Sequence, residues 1–236
     1  MRYPNLTPAT FLSRPNRFVA QVLVSGEPVT VHVKNTGRCR ELLVPGAQVW
    51  LTKSDNPNRK TSYDLIAVEK GARLINMDAQ APNKVFFEWA AAGHFVPGLT
   101  LLKAEQKHGD SRFDFYWEAG PRKGFVEVKG VTLERDGAVY FPDAPTERGI
   151  KHLHGLVDSL AQGYEGTVCF VIQMEQVDFF APNDQTHPAF GQALRAAAQA
   201  GVQVLALCCS VTPDSLSISQ PVPVKLSDFS IKKFNI

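Results

Sequence analysis

Apolar and polar residues alternate with a period of two through much of the first 80 residues, the signature of half-buried strands. Residues 17–24 and 29–33 flank Ser25-Gly26-Glu27-Pro28, a hairpin signal, and 48–52, 62–68 and 72–75 add further runs. About five short strands in this span fit a small barrel such as an OB-fold, and composition alone leaves an SH3-like barrel open. Beyond residue 80 the period changes. Residues 82–92, closed by Gly93, read as a helix, as do 146–161 with Gly163 beyond and the alanine-rich 188–199 stopped by Gly201. Strand-like runs lie at 99–106, 111–117, 124–133 and 139–141. The unbroken apolar runs 168–172 and 202–208 read as strands buried on both faces. Hairpins followed by β-α-β alternation predict a mixed sheet with helices on its faces. The expectation is an α/β (α+β) chain, with an OB-like barrel over 1–80 and a mixed-sheet domain over 81–236.

One strand pair carries candidate chemistry. Asp114 sits among Phe113, Phe115 and Trp117; Glu127 and Lys129 alternate with Val126 and Val128. Residues i and i+2 of a strand share a face, so Glu127 and Lys129 project together. Pairing the apolar faces as an antiparallel hairpin puts Phe113 opposite Val128, Phe115 opposite Val126 and Asp114 opposite Glu127, with Lys129 as diagonal neighbour. A one-residue slip would turn the aromatic set to the other side. The connection 118–123 contains the turn pair Gly120-Pro121. Facing carboxylates repel unless a cation holds both ionised. Oxygen ligands on a rigid strand pair suit Mg²⁺ or Mn²⁺, and a surface ion pair beside an unrelated aspartate is the plainer alternative.

Composition narrows the class. An apolar fraction of 44% and a charged fraction of 20% are those of an ordinary globular protein. No apolar run reaches the length of a membrane span, and residues 1–6 lack a signal-peptide core, so a cytoplasmic protein without membrane contact is expected. Cys39, Cys169, Cys208 and Cys209 have no zinc-ligand spacing. Cys39 between Arg38 and Arg40 suggests a lowered thiol pKa, though no base neighbours it. Net charge is only +2, yet residues 1–60 hold nine Lys and Arg against three acids. A basic front portion suits a polyanion.

Several longer words then appear in one order: residues 35–39 (Asn-Thr-Gly-Arg-Cys), 45–51, 54–60, 111–115, 126–133, 141–144 and 148–153. On these words the chain resembles the sugar fermentation stimulation protein A (SfsA) family along nearly its whole length. The resemblance implies an N-terminal OB-like barrel, a C-terminal domain similar to PD-(D/E)xK nucleases, DNA binding, and a role in expression of sugar (maltose) utilisation genes. It matches Asp114, Glu127 and Lys129 to the nuclease motif and Glu88 to the acid on the preceding helix. Phe113 stands at the signature's nominal proline, Arg38-Cys39 where many members have Ser-Met, and Met174 where many carry arginine.

Candidate DNA contacts are Arg14, Arg17, Lys34, Asn35, Thr36, Arg38, Arg40, Arg59 and Lys60 in the first part, and Lys151 and His152 on the helix after the motif strands. The polar turn at 34–40 offers donors for a phosphate. Few aromatics interleave these cations, which favours duplex, backbone-led binding of low sequence specificity over base stacking. Three readings follow. The first is a metal-dependent DNA phosphodiesterase using Asp114, Glu127 and Lys129, with the Val128 carbonyl as an added ligand. The second is a non-catalytic DNA-binding regulator with a vestigial nuclease fold; the third is an assembly protein without nucleic acid. Either a monomer or a homodimer is compatible with the sequence.

Overall fold

The computed structural model describes residues 1–35, 37–56 and 58–227. Strands β1 (Leu6–Asn16), β2 (Val19–Val24) and β3 (Glu27–Val33) form an antiparallel meander. Next come β4 (Gln48–Lys53), β5 (Tyr63–Lys70) and β6 (Arg73–Asn76). β4 pairs antiparallel with β1 and β5, and β3 meets β5 in parallel at His32–Asp64 and Val33–Leu65, which closes a five-stranded barrel. Phe11, Val22, Val31, Val49, Leu51 and Leu65 fill its interior. β1 lies outside the expected strands. Its Pro8 and Pro15 break the alternation, as proline does where a ladder donor is missing.

β6 leads into α1 (Ala81–Trp89), which continues as a π-helical turn over Ala90–His94. Strands β7 (Leu101–His108), β8 (Ser111–Ala119) and β9 (Arg122–Val131) follow as an antiparallel meander. A small sheet is built from β10 (Leu133–Arg135), β11 (Ala138–Phe141) and β13 (Phe179–Pro182). The remaining elements are α2 (Glu147–Leu160), β12 (Glu165–Ile172), α3 (Pro188–Ala200), β14 (Gln203–Thr212) and β15 (Ser215–Pro221). The main sheet runs β15-β14-β12-β9-β8-β7, with β9, β12 and β14 parallel in its centre.

Helices cover both faces of this sheet. Val85, Phe86 and Ala90 of α1 and its extension pack with Phe115, Trp117, Val126, Val128 and Cys169. On the other face α2 and α3 set Leu153, Leu156, Phe190 and Leu194 against Phe113, Phe125, Val168 and Phe170. That second core is continuous with the barrel interior. Charged and amide groups reinforce the join. Lys34 Nζ lies 2.8 Å from buried Asp78, Gln173 bonds Asn76 and the Asp78 carbonyl, and Lys70 and Arg73 both grip Glu134.

Candidate active site and basic surface

The β8–β9 ladder runs from Phe115–Val126 to Ala119–Arg122 around a two-residue Gly120-Pro121 turn, tighter than the 118–123 connection expected. Gly120 takes φ +60°, which glycine adopts without steric cost. At the open end of this hairpin stand Asp114 and Glu127. Here one expected pairing fails: Phe113 does not share a face with Phe115 and Val128. It lies on the α2 side, with ring centroids 5.0 Å from Phe125 and 6.3 Å from His152, whereas Phe115 packs on α1 5.3 Å from Phe86. Both faces of the strand are buried rather than one, and it turns over at Asp114 to send one ring to each. Glu105, across from Asp114 on β7, has φ +55°, a left-handed conformation uncommon outside glycine.

The turn-over leaves the two acids gripped from opposite helical layers. Asp114 Oδ2 accepts the Val128 N–H at 2.8 Å, and its Oδ1 accepts from the Asn83 side chain of α1 at 2.8 Å. Glu127 is 3% exposed. Its Oε1 accepts from Lys129 Nζ at 2.5 Å and from His152 Nδ1 of α2, while Oε2 is buried with no hydrogen-bond partner among the described residues. Burial and then the Glu127 charge push the Asp114 carboxyl above its usual range. Burial would raise Glu127 too, but the His152 hydrogen bond and the Lys129 charge overcome it and hold the group low. A buried unpaired polar oxygen costs about 1–3 kcal/mol, more for a charged group.

That donor set fits a hard divalent cation. Among the described residues Glu127 Oε2 lacks a hydrogen-bond partner, and each Asp114 oxygen keeps a second lone pair. Among the described residues no cluster of three His, Cys, Asp or Glu side chains has metal-holding geometry. Asp114 and Glu127 are the two carboxylates on offer.

Three expected site residues take other places. Glu88 does not join the acids: its Oε2 accepts from the Met1 ammonium at 2.7 Å. It is five residues from Asn83, about 140° around the helix, so α1 presents an amide to Asp114 where an acid was expected. His152 is no surface phosphate contact but is 6% exposed on Glu127. It falls on the buried stripe Gly149, His152, Leu153, Leu156, a helical period that could have placed it inward. Lys151 is exposed in a separate depression beside Asp110 and Asp158.

The basic residues of the barrel divide. Arg14 spends its guanidinium on four carbonyls, those of Arg17, Asn35, Gly37 and Arg38. Lys34 is paired with Asp78, and Arg59 is bidentate on Asp64 at 2.5 and 3.0 Å. Asn35 Oδ1 accepts the Gly37 N–H, closing a turn. These four shape the protein rather than its surface field; Thr36 lies outside the described residues. Arg17, Arg38, Arg40 and Lys60 are exposed. The three arginines line a concavity of about 480 Å³ whose lining, among the described residues, contains no carboxylate. Gly37 also lines a second cleft that reaches Gly130, the neighbour of Lys129. A Cβ on Gly37 would meet Asp143 Oδ2 at 2.4 Å, so a side chain there would displace the carboxylate that accepts the Arg38 N–H. Cys39 is buried, which pushes its thiol up to about 12 despite the flanking arginines.

Comparison with known proteins fixes the relationship. Residues 12–77 match the SfsA N-terminal OB domain, and residues 80–215 match the sugar fermentation stimulation protein RE domain. The chain belongs to the SfsA family. A sugar fermentation stimulation protein homolog of Desulfitobacterium hafniense (strain Y51) is 58% identical over 226 residues, 96% of this chain and 99% of the relative. The SfsA-family homolog of Ruminiclostridium cellulolyticum is 52% identical over 226 residues, covering 96% of this chain and all of its own. The solved structure of Pyrococcus furiosus SfsA in complex with Ca²⁺ superposes with a TM-score of 0.86 at 27% identity, over 95% of this chain and 98% of that one. The OB barrel and the mixed α/β second domain are therefore family features. No helix among the described residues is long and apolar enough to cross a membrane.

Proposed function

We propose that this SfsA-family chain binds duplex DNA with low sequence specificity through Arg17, Arg38, Arg40 and Lys60. It cleaves phosphodiester bonds at Asp114, Glu127 and Lys129 with Mg²⁺ or Mn²⁺. The observation that carries this reading is the state of Glu127: one oxygen held by Lys129 and His152, the other buried and unpartnered beside a second acid. Asp114, Glu127 and the Val128 carbonyl would hold the cation. When bound, it supplies charge stabilisation at phosphorus and acidifies a water. The Ca²⁺ bound by the Pyrococcus furiosus relative is a cation of the same oxygen-seeking class, which supports this choice.

The protein's own groups do the rest. Lys129 balances Glu127 in the resting site and offers an ammonium to charge growing on phosphate oxygens. Asn83 and the Val128 N–H fix the Asp114 carboxylate. The arginine concavity and the second cleft share Gly37, and the second is lined by Gly130, which supports an approach of a backbone phosphate from the arginines toward the motif strands. The family's name, sugar fermentation stimulation protein, supports placing this proposed activity in the context of sugar metabolism. The test is incubation of DNA with Mn²⁺ or Mg²⁺ at protein excess: cleavage that Asp114→Asn abolishes is expected, and intact DNA with both metals overturns the nuclease reading. One observation favours a second reading, a DNA-binding regulator without cleavage: Glu127 is almost wholly buried. On that reading Glu127→Ala leaves DNA retention in a gel shift unchanged and no metal restores cleavage.

A further inference from the structure

Glu127 has three polar neighbours of different kinds, and only two were foreseen from strand geometry. The third, His152, comes from α2 and is nearly as buried as the acid itself. Its ring orientation is set from the far side, where Arg148 Nε donates to His152 Nε2 at 3.4 Å. An Nε2 that accepts cannot carry the hydrogen, so the ring bears it on Nδ1 and donates it to Glu127 Oε1. Arg148 and His152 are one helical turn apart, and Thr146 caps the same turn through the Gly149 N–H at 3.0 Å. The donor is thus mounted on a rigid helix end. Lys129 donates to the same oxygen, so both donors saturate Oε1 and leave Oε2 bare.

We propose that His152 is a positioning residue: as the Nδ1–H tautomer, oriented by Arg148, it holds Glu127 Oε1 and so keeps Oε2 presented to a divalent cation. This rests on the metal-dependent reading above. Without the δ-position donor the carboxylate can rotate and turn either oxygen to Lys129, and the bare oxygen loses its fixed direction. Groups that orient a metal ligand in this way typically change metal affinity about 10–100-fold when removed.

The donor's position allows a sharp test on the full chain. The Asn side chain places an N–H where His has Nδ1; the Gln side chain places it where His has Nε2. Calorimetric titration of Mn²⁺ into the wild type, His152→Asn and His152→Gln is expected to give near wild-type affinity for Asn and about 10–100-fold weaker binding for Gln. Equal affinities in all three, or equal losses in both variants, overturn the proposal, the latter because a purely structural role would not distinguish donor positions. A wild type that binds no Mn²⁺ overturns the metal-dependent reading and this inference together, whereas binding insensitive to His152 overturns this inference alone. Should either variant fail to fold, the wild type suffices: ¹⁵N-correlated NMR of the imidazoles, with the chain free of metal, is expected to find His152 protonated on Nδ1 and bare on Nε2. The opposite tautomer overturns it.

Discussion

The barrel and the β8–β9 hairpin use charge in opposite ways. In the barrel, side chains that look alike in sequence divide into two populations: Arg14, Lys34 and Arg59 are consumed by carbonyls or acids of the protein, while Arg17, Arg38 and Arg40 stay open around one concavity. In the hairpin almost every charge is engaged, and among the described residues the charged group with an unpartnered atom there is the buried Glu127 carboxylate rather than a surface cation. The barrel's open groups can respond to a polyanion without rearrangement. The hairpin's open oxygen is buried, and on the proposed reading a bound cation completes it. Charges that are paired inside should report on stability, and charges left open should report on ligands.

The largest effect should come from the hairpin. Glu127→Gln keeps the shape but removes the charge, and cleavage should fall at least about a thousandfold while DNA retention holds; unchanged turnover would break the assignment. Next come the paired cations. Lys34→Met leaves Asp78, 1% exposed on its side chain, without its ammonium partner, and should cost about 3 kcal/mol in denaturant unfolding without changing the salt dependence of DNA binding. Glu134 gives a pH test of the same idea. Hydrogen bonds from Lys70, the Gly137 N–H and Arg73 outweigh burial and lower its carboxyl to about 2. The stability it contributes is therefore complete above the unfolded value of 4.5 and is lost as pH falls from there toward 2. Glu134→Gln should lower stability on the order of 2 kcal/mol near pH 7, and the difference from the wild type should shrink below pH 4.5 and close as pH approaches 2, as thermal melts across pH would show. Smallest in stability is Arg38→Ala: unfolding should move by less than about 0.5 kcal/mol while the salt slope of DNA binding drops by about one. A stability loss there with an unchanged slope would reverse the comparison.

Periodicity carried most of the fold. The three helices, the hairpin and the parallel central strands all follow from spacing that the sequence displays. β1 escaped because Pro8 and Pro15 interrupt a strand that pairs with different neighbours along its length. β15 escaped because an edge strand such as Ser215–Pro221 is mostly polar. The site was legible where it depends on neighbours two apart, as Glu127 and Lys129 do. It was not legible where two helices converge on the hairpin: Asn83 replaced Glu88, and His152 came inward, through tertiary placement of helix faces. Charge counting located the basic region but could not tell Arg14 from Arg38, because the carbonyls that occupy Arg14 are spread over residues 17–38 and meet only in the closed barrel.

The central claim is that Glu127 Oε2 and Asp114 await a divalent cation. Crystals soaked in Mn²⁺ test it most directly, by anomalous scattering at the manganese edge. The account predicts a peak in contact with both carboxylates at the open end of the hairpin. Well-diffracting crystals with no peak there, or with manganese only at other surface acids, would contradict it.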